Sequence, residues 1–345
     1  MENSSSNDSK RRVIEEIKIQ CFSHQGKRPY QEDRLVVIPD FNSLIPGAVK
    51  NVKRSFYAIF DGHGGALVSH ILSMKFAEEL SRHESITIKP VDALHDVWEK
   101  MDDIILQSCK EYSIKQKSLG GTNELICDGA TATVALLIND EIYVANCGDS
   151  SCHYYDYNGK STCITENHTT SNINEINRCI NNGGIIKYKN NYNCCFNTKE
   201  ITNGGRLYPG GLQVTRSFGD FNSKLSQYNG GISNVIIPDH GQIGVLSLKN
   251  VKFVVLGSDG LWDGFPQNKS NQIYNIISTY KKRNNKNECN PEDLSLNPAI
   301  IGNVKRDCDI GGDKANNAEI LCNKAIKSNS DNTSCIILEI IHQEL

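Results

Sequence analysis

The sequence holds no run of 18 apolar residues, and its opening stretch, MENSSSNDSKRR, is polar throughout. The first absence excludes a transmembrane helix, and the second leaves no apolar core for a secretory signal. Glu2 after the initiator Met also denies N-myristoylation its glycine. An excess of either charge is missing too, since 37 Lys and Arg stand against 40 Asp and Glu, a formal net charge of −3. No global field therefore draws the chain to nucleic acid or an anionic membrane, and any charged site has to be local. Thirteen cysteines run from Cys21 to Cys335 without a single C-x-x-C pair. With no histidine near the adjacent Cys194 and Cys195, zinc is not expected, and the cysteines read as reduced core thiols of a cytosolic or nuclear protein.

What is present is enough for a sizeable core: 345 residues, 38% of them hydrophobic. Residues 1–16 are expected as a flexible N-terminal tail and 17–345 as one domain. Apolar, strand-like runs occur at Arg34 to Ile38, Ser55 to Phe60, Ala130 to Ile138, Glu141 to Asn146, Cys152 to Tyr157, Lys160 to Thr165, Val251 to Gly257 and Cys335 to Ile341. Asn139-Asp140 and Asn158-Gly159 read as hairpin turns, the second suiting a type I′ turn. Helical spacing marks the segment after Gly65, Val91 to Tyr112, Asn172 to Asn182 before Gly183-Gly184, and Ile273 to Tyr280. Hairpins with helix pairs between them predict antiparallel sheets covered by helices rather than a parallel βαβ sheet. No fixed-period repeat is present. Two long Asn- and Gly-rich stretches, about 185–212 and 281–313, read as functional flaps or tolerated insertions.

Acidic residues recur where the apolar runs stop: Glu32-Asp33, Asp61, Asp149, Asp259 and Asp331. One Asp-Gly pair is ordinarily a turn, but five such sites on strand ends place several carboxylates in a small volume if the ends converge. Their repulsion would then call for divalent cations, and oxygen donors without Cys or paired His select hard ions, Mg²⁺ or Mn²⁺. Two such ions roughly 3.5 to 4 Å apart can activate a bridging water for displacement at phosphorus. Arg28, four residues before Glu32, carries the planar fork that grips a phosphoryl group. Other routes to this chemistry are missing. The sequence has no His-Cys-x₅-Arg, no G-x-x-x-x-G-K-[ST], no G-x-S-x-G and no kinase H-R-D with D-F-G.

Seven motifs in order resemble the metal-dependent type 2C serine/threonine protein phosphatases: Arg28-Pro-Tyr-Gln-Glu32-Asp33, Phe60-Asp61-Gly62-His63-Gly64-Gly65, Asp128-Gly129-Ala130-Thr131-Ala132, Asn146-Cys147-Gly148-Asp149-Ser150, Gly211 to Asp220, Ser258-Asp259-Gly260-Leu261-Trp262-Asp263 and Asp331-Asn332-Thr333-Ser334. The resemblance implies one α+β domain, a sandwich of two antiparallel β-sheets flanked by pairs of antiparallel α-helices, with a flap at about 185–212 and an insertion at about 281–313. It implies that Asp61 bridges two Mg²⁺ or Mn²⁺ ions, with Asp259 and Asp331 at one and Glu32 and the Gly62 carbonyl at the other. Asp33 would hold metal-bound water from behind, while Asp149, Asp259 and Asp263 would offer a weaker third site. Arg28 would bind the substrate phosphate and His63 protonate the leaving serine or threonine oxygen, after direct attack by the water bridging the ions.

The chain departs from the family pattern at Ser151, where an Arg is usual, and at Asn167-His168-Thr169-Thr170, where D-H-K-P is usual. Neither change falls on an expected ligand. The expected function is hydrolysis of phosphoserine and phosphothreonine in protein substrates by a monomer, with no nucleic-acid or membrane partner. A catalytically silent scaffold of the same fold is the alternative from another class, and small phosphorylated metabolites are alternative substrates.

Overall fold

The run Arg54–Phe60 is apolar on both of its alternating faces, which a strand needs only when it is covered on both sides. In the computed structural model, which describes residues 12–49, 51–121, 126–188, 205–229, 231, 234–265, 269–279 and 317–344, that is its situation. Phe56, Ala58 and Phe60 point to one core, and Tyr57 and Ile59 to another. The same division recurs in Val251–Gly257, with Val254 and Leu256 on one side and Phe253 and Val255 on the other. A slip of one residue would exchange the two faces, so the pattern fixes the register.

Numbered along the chain, one antiparallel sheet runs β1 (Arg12–His24), β15 (Thr333–Glu344), β14 (Val251–Gly257), β8 (Ser151–Asp156), β9 (Ser161–Cys163). The second runs β13 (Gly244–Ser247), β7 (Glu141–Cys147), β6 (Ala132–Ile138), β3 (Arg54–Phe60), β2 (Arg34–Ile38). Their inner faces share one core, Tyr57, Ile59, Leu137 and Val144 meeting Val254, Leu256, Ile336 and Leu338. Outside the second sheet pack α1 (Leu67–Arg82) and α2 (Pro90–Ser118), through Leu72, Phe76, Trp98 and Met101. Behind the first sheet lie α6 (Asp259–Asp263), α7 (Lys269–Thr279) and α8 (Asn317–Ala325), after α3 (Ile173–Asn181), α4 (Phe221–Lys224) and α5 (Ser226–Asn229) elsewhere in the chain. The expected α+β sandwich is therefore the observed one.

Two smaller sheets complete the description. Gly62–His63 (β4), Gly129–Ala130 (β5) and Phe218–Gly219 (β12) form a short sheet in the order β12-β5-β4. Ile185–Lys187 (β10) pairs with Arg206–Tyr208 (β11). Among the described residues no helix is long and apolar enough to cross a membrane.

Two local expectations are corrected. Strand β1 starts at Arg12, inside the stretch 1–16 expected as a tail, because the long β15 offers it a complete ladder from Arg12↔Glu344 to His24↔Thr333. A bulge between Ile14 and Glu16 breaks the alternation there, and Glu15-Glu16 hid the strand in the sequence. At Asn158-Gly159 only Gly159 has a positive φ, 82°, so the turn is not type I′. Asp156 accepts from the N–H groups of Asn158 and Lys160 through Oδ1, and from Gly159 through its carbonyl. That turn follows the carboxylate of Asp156, which the Asn-Gly rule does not consider. The stretch 281–313, most of 185–212 and the pair Cys194-Cys195 lie outside the described residues. Of the nine described cysteines, none is in a disulfide and six are buried.

Candidate active site

Strands β2, β3, β14 and β15 bring their acidic ends to one end of the sandwich. Asp61 follows β3, Asp259 follows β14, Asp331 precedes β15, and Glu32-Asp33 precede β2. Asp149 sits in the turn from β7 to β8, where Gly148 has φ 103°. Burial raises the pKa of Asp61 far above the carboxylate range, and Asp33, Asp259, Asp149 and Asp331 add to it by repulsion. Asp259 is raised in the same way, by burial and then by Asp149, Asp331, Asp33 and Asp263. Burial also lifts Asp33 and Asp149 to about 6 and raises Glu32. Each perturbs the next, so these carboxylates form one electrostatic unit.

Hydrogen bonds position its members. Asp33 is fully buried, and its Oδ2 accepts from Ser334 Oγ at 2.7 Å. Its Oδ1 has no hydrogen bond of ordinary geometry, although Ser258 and Asp61 stand near enough to ease its charge. Glu32 donates its N–H to Asn332 Oδ1 at 2.8 Å, while its carbonyl accepts from Ser69 Oγ at 2.5 Å. Gly62 closes against that carbonyl: a Cβ there would lie 2.6 Å from Glu32 O and 2.8 Å from Ser69 Oγ. Only glycine fits the close approach.

Arg28 lies at the exposed rim and donates from Nη2 to Asp331 Oδ2 at 2.7 Å. The residue expected to take phosphate is thus paired with a residue expected to hold metal. His63 lies across the site with Nε2 2.8 Å from Asp220 Oδ2. Burial alone would lower the His63 pKa, but Asp220, with Asp149 and Glu32 behind it, raises it overall. Asp263 ends α6 and is exposed.

These donors fit hard divalent cations. They are oxygen atoms only, Asp61 and Asp259 have their pKa values raised by burial and then by neighbouring carboxylates, and one fully buried carboxylate oxygen, Asp33 Oδ1, has no hydrogen bond of ordinary geometry. Among the described residues no three His, Cys, Asp or Glu side chains are already drawn into one coordination shell. The carboxylates share a field without meeting at a point, and Asp331 is engaged by Arg28.

Two acidic residues here were not singled out from the sequence. Asp128 accepts from the first amide of α1, Leu67 N–H, at 3.0 Å, and a Cβ on Gly65 would fall 2.1 Å from its Oδ2. Asp220 backs His63 from 157 positions away. Both stand in recognised motifs, whose order along the chain marks their importance but not their partners. Two other motif residues, Thr215 and Arg216, are scaffolding. With Arg178 they bind Glu175, which is 3% exposed and lies outside the motifs. Burial would raise its pKa, yet those hydrogen bonds, Arg216 foremost, carry it well below the carboxylate range.

Comparison with known proteins bears on this geometry. Residues 17–295 match the family model described as Protein phosphatase 2C. "Protein phosphatase 1L" of Bos taurus is 28% identical over 257 residues, 72% of this chain and 60% of the relative. "Protein phosphatase 2C 77" of Arabidopsis thaliana is 29% identical over 251 residues, 69% of this chain and 52% of the relative. The chain thus spans between about half and three fifths of the length of these curated relatives. A solved serine-threonine phosphatase 2C from Toxoplasma gondii superposes with TM-score 0.59 at 19% identity, over 96% of this chain and 97% of that one. A C. elegans sex determining protein gives TM-score 0.61 at 22% identity, over 94% of this chain and 64% of that one. At such identities the likeness to solved structures speaks for the fold.

Proposed function

The chain belongs to the protein phosphatase 2C family, and from that premise we propose that it hydrolyses phosphoserine and phosphothreonine esters of proteins with Mg²⁺ or Mn²⁺. The supporting observation is the single electrostatic unit of Asp33, Asp61, Asp149 and Asp259, whose pKa values are raised by burial and by one another. A fold keeps so many repelling carboxylates together at a cost in stability unless cations or protons relieve them.

In this reading Asp61, Asp259 and Asp331 would hold one ion, and Asp61, Glu32 and the Gly62 carbonyl would hold the second. Asp149, Asp259 and Asp263 would offer a weaker third site. When bound, the ions neutralise the carboxylates and acidify a water for attack on phosphorus. The remaining work belongs to the chain. Arg28 exchanges Asp331 for the phosphate oxygens, which its planar fork suits better than one carboxylate oxygen. His63 supplies a proton to the ester oxygen as it leaves. Asp33 keeps its buried Oδ1 available as a hydrogen-bond acceptor behind the ligands. The enzyme acts as a monomer.

The test is phosphate release from a phosphothreonine peptide with Mn²⁺ or Mg²⁺, against EDTA, for the wild type and Asp259→Asn, with cation binding followed by calorimetry. Turnover that needs the cation and is lost in the variant is expected. Folded protein that binds either ion but releases no phosphate would overturn the catalytic reading and leave a scaffold.

A further inference from the structure

Asp220 is held in a conformation that few residues adopt. Its φ is 51°, in the left-handed region, and its side chain is 4% exposed. The surrounding contacts determine that conformation. Its N–H donates to Asp128 O at 2.9 Å, its carbonyl accepts from Ser223 N–H at 2.8 Å, and Oδ2 accepts from Ser217 Oγ at 2.5 Å. The same Oδ2 meets His63 Nε2 at 2.8 Å. Beneath the contact, a Cβ on Gly129 would fall 2.2 Å from both Asp220 Oδ2 and His63 Nε2, so β5 passes the pair as bare backbone. Chain far apart in sequence has been arranged to bring one buried carboxylate to one imidazole nitrogen.

We propose that Asp220 is the positioning residue for His63, fixing which imidazole nitrogen gives up a proton. The proposal rests on the reading of His63 as the acid for the leaving oxygen. A carboxylate only accepts, so the nitrogen facing it, Nε2, carries a hydrogen. Nδ1 has no hydrogen bond among the described residues and is the nitrogen left to act. As the phosphorus–oxygen ester bond breaks, its electron pair passes to the serine or threonine oxygen and the Nδ1 proton joins that oxygen. The imidazole is left neutral, its hydrogen staying on Nε2 and still donated to Asp220 Oδ2. The attacking water forms the new phosphorus–oxygen bond and releases one proton to solvent, and solvent returns one to Nδ1. Asp220 never exchanges its own charge, and acts by holding the ring and stabilising the imidazolium.

A group that acts through His63 matters most for leaving oxygens that need a proton. The experiment compares the full chain with Asp220→Asn, His63→Ala and the double variant, each loaded with Mn²⁺, on a phosphothreonine peptide and on p-nitrophenyl phosphate, whose phenolate leaves unaided. Asp220→Asn is expected to lose about 10²-fold in kcat on the peptide, the lower end of what a positioned acid supplies, and under about fivefold on the aryl ester. In the His63→Ala background it is expected to cost almost nothing more, because two residues acting as one unit are not additive. Equal losses of Asp220→Asn on both substrates, or an undiminished loss in the His63→Ala background, would overturn the proposal in favour of a structural Asp220. A His63→Ala variant with equal losses on both substrates would instead overturn the reading of His63 itself. Ser217→Ala, which removes only the second hydrogen bond to Oδ2, is expected to show the same substrate bias on a smaller scale, and no bias there counts against the proposal.

Discussion

Glu32 and Asn332, 300 positions apart in the chain, meet at 2.8 Å, the backbone N–H of the first donating to the side-chain Oδ1 of the second. Asn332 also donates through Nδ2 to the carbonyls of Gln25 and Tyr30, at 2.8 and 3.0 Å. One buried amide therefore shapes the segment that carries Arg28 and Glu32. Asn332→Ala leaves these backbone groups without their partner and is expected to cost about 3 kcal/mol, read as a lower urea midpoint at unchanged slope. Calorimetry should show weaker cation binding in the same variant.

Removing cations has a predictable signature. The folded pKa of Asp33 and Asp149 is about 6, above the unfolded carboxylate value. Their contribution is therefore most favourable at low pH and is lost as pH rises through 6, where the charged groups repel. In EDTA this component should fall between pH 4 and pH 7, and saturating Mg²⁺ or Mn²⁺ should restore it. At a hundredfold excess over Kd the gain is about 2.7 kcal/mol, visible as a higher Tm at pH 7.5. A Tm unmoved by both ions would sink the hard-cation assignment.

His168 gives the opposite slope. It is 1% exposed, and burial lowers its pKa to about 4, with Arg216 adding to the effect. Its Nδ1 accepts from Gly148 N–H at 3.3 Å, which a protonated ring cannot do. A depressed histidine contributes stability fully above its unfolded pKa and loses it as pH falls toward 4. The wild type minus His168→Gln stability difference, measured in EDTA for both, should shrink by up to about 3 kcal/mol from pH 7.5 to pH 4.

Gly62→Ala tests the close approach. The new methyl would sit 2.6 Å from the Glu32 carbonyl, and backbone cannot swing away as a side-chain tip can. A loss of about 1–3 kcal/mol is expected, with at least tenfold weaker binding of the second ion by titration. Wild-type affinity in that variant would show that the Gly62 approach does not matter to the cations.

Arg28→Ala frees Asp331 and removes a positive charge from the rim. Cation binding should tighten several-fold, while KM for the phosphopeptide rises at least tenfold and inhibition by free phosphate weakens. Arg28→Lys should recover little of the loss, since an ammonium is a point charge without the fork.

Much of this arrangement was legible in the residues, for identifiable reasons. Strands β3 and β14 could be bounded closely because their two faces are buried in different cores, and an uninterrupted apolar run states that directly. The acidic strand ends were legible as recurring Asp-Gly punctuation, and their order carried the resemblance to the family. Strand β1 escaped because a bulge disturbs its period and its stability comes from β15 rather than from its own pattern. Asp220 and Asp128 escaped because hydrogen bonds to His63 and Leu67 span 157 and 61 positions, distances at which a single sequence carries no pairing signal. The Arg28–Asp331 pair was out of reach for the same reason, 303 positions separating the two.

The place of β15 between β1 and β14 has a consequence for how the molecule is made. On a ribosome the chain emerges in order, and β1 leaves long before β15. Its ladder partner is residues 333–344, so β1 cannot form this ladder until the roughly 300 residues between the two strands have also been synthesised. The same late segment brings Asn332 to Glu32 and Ser334 to Asp33. A nascent chain stalled before that point could hold the second sheet with α1 and α2 while lacking a finished centre. The centre would then be assembled in one late step, when that segment emerges, rather than piece by piece during synthesis.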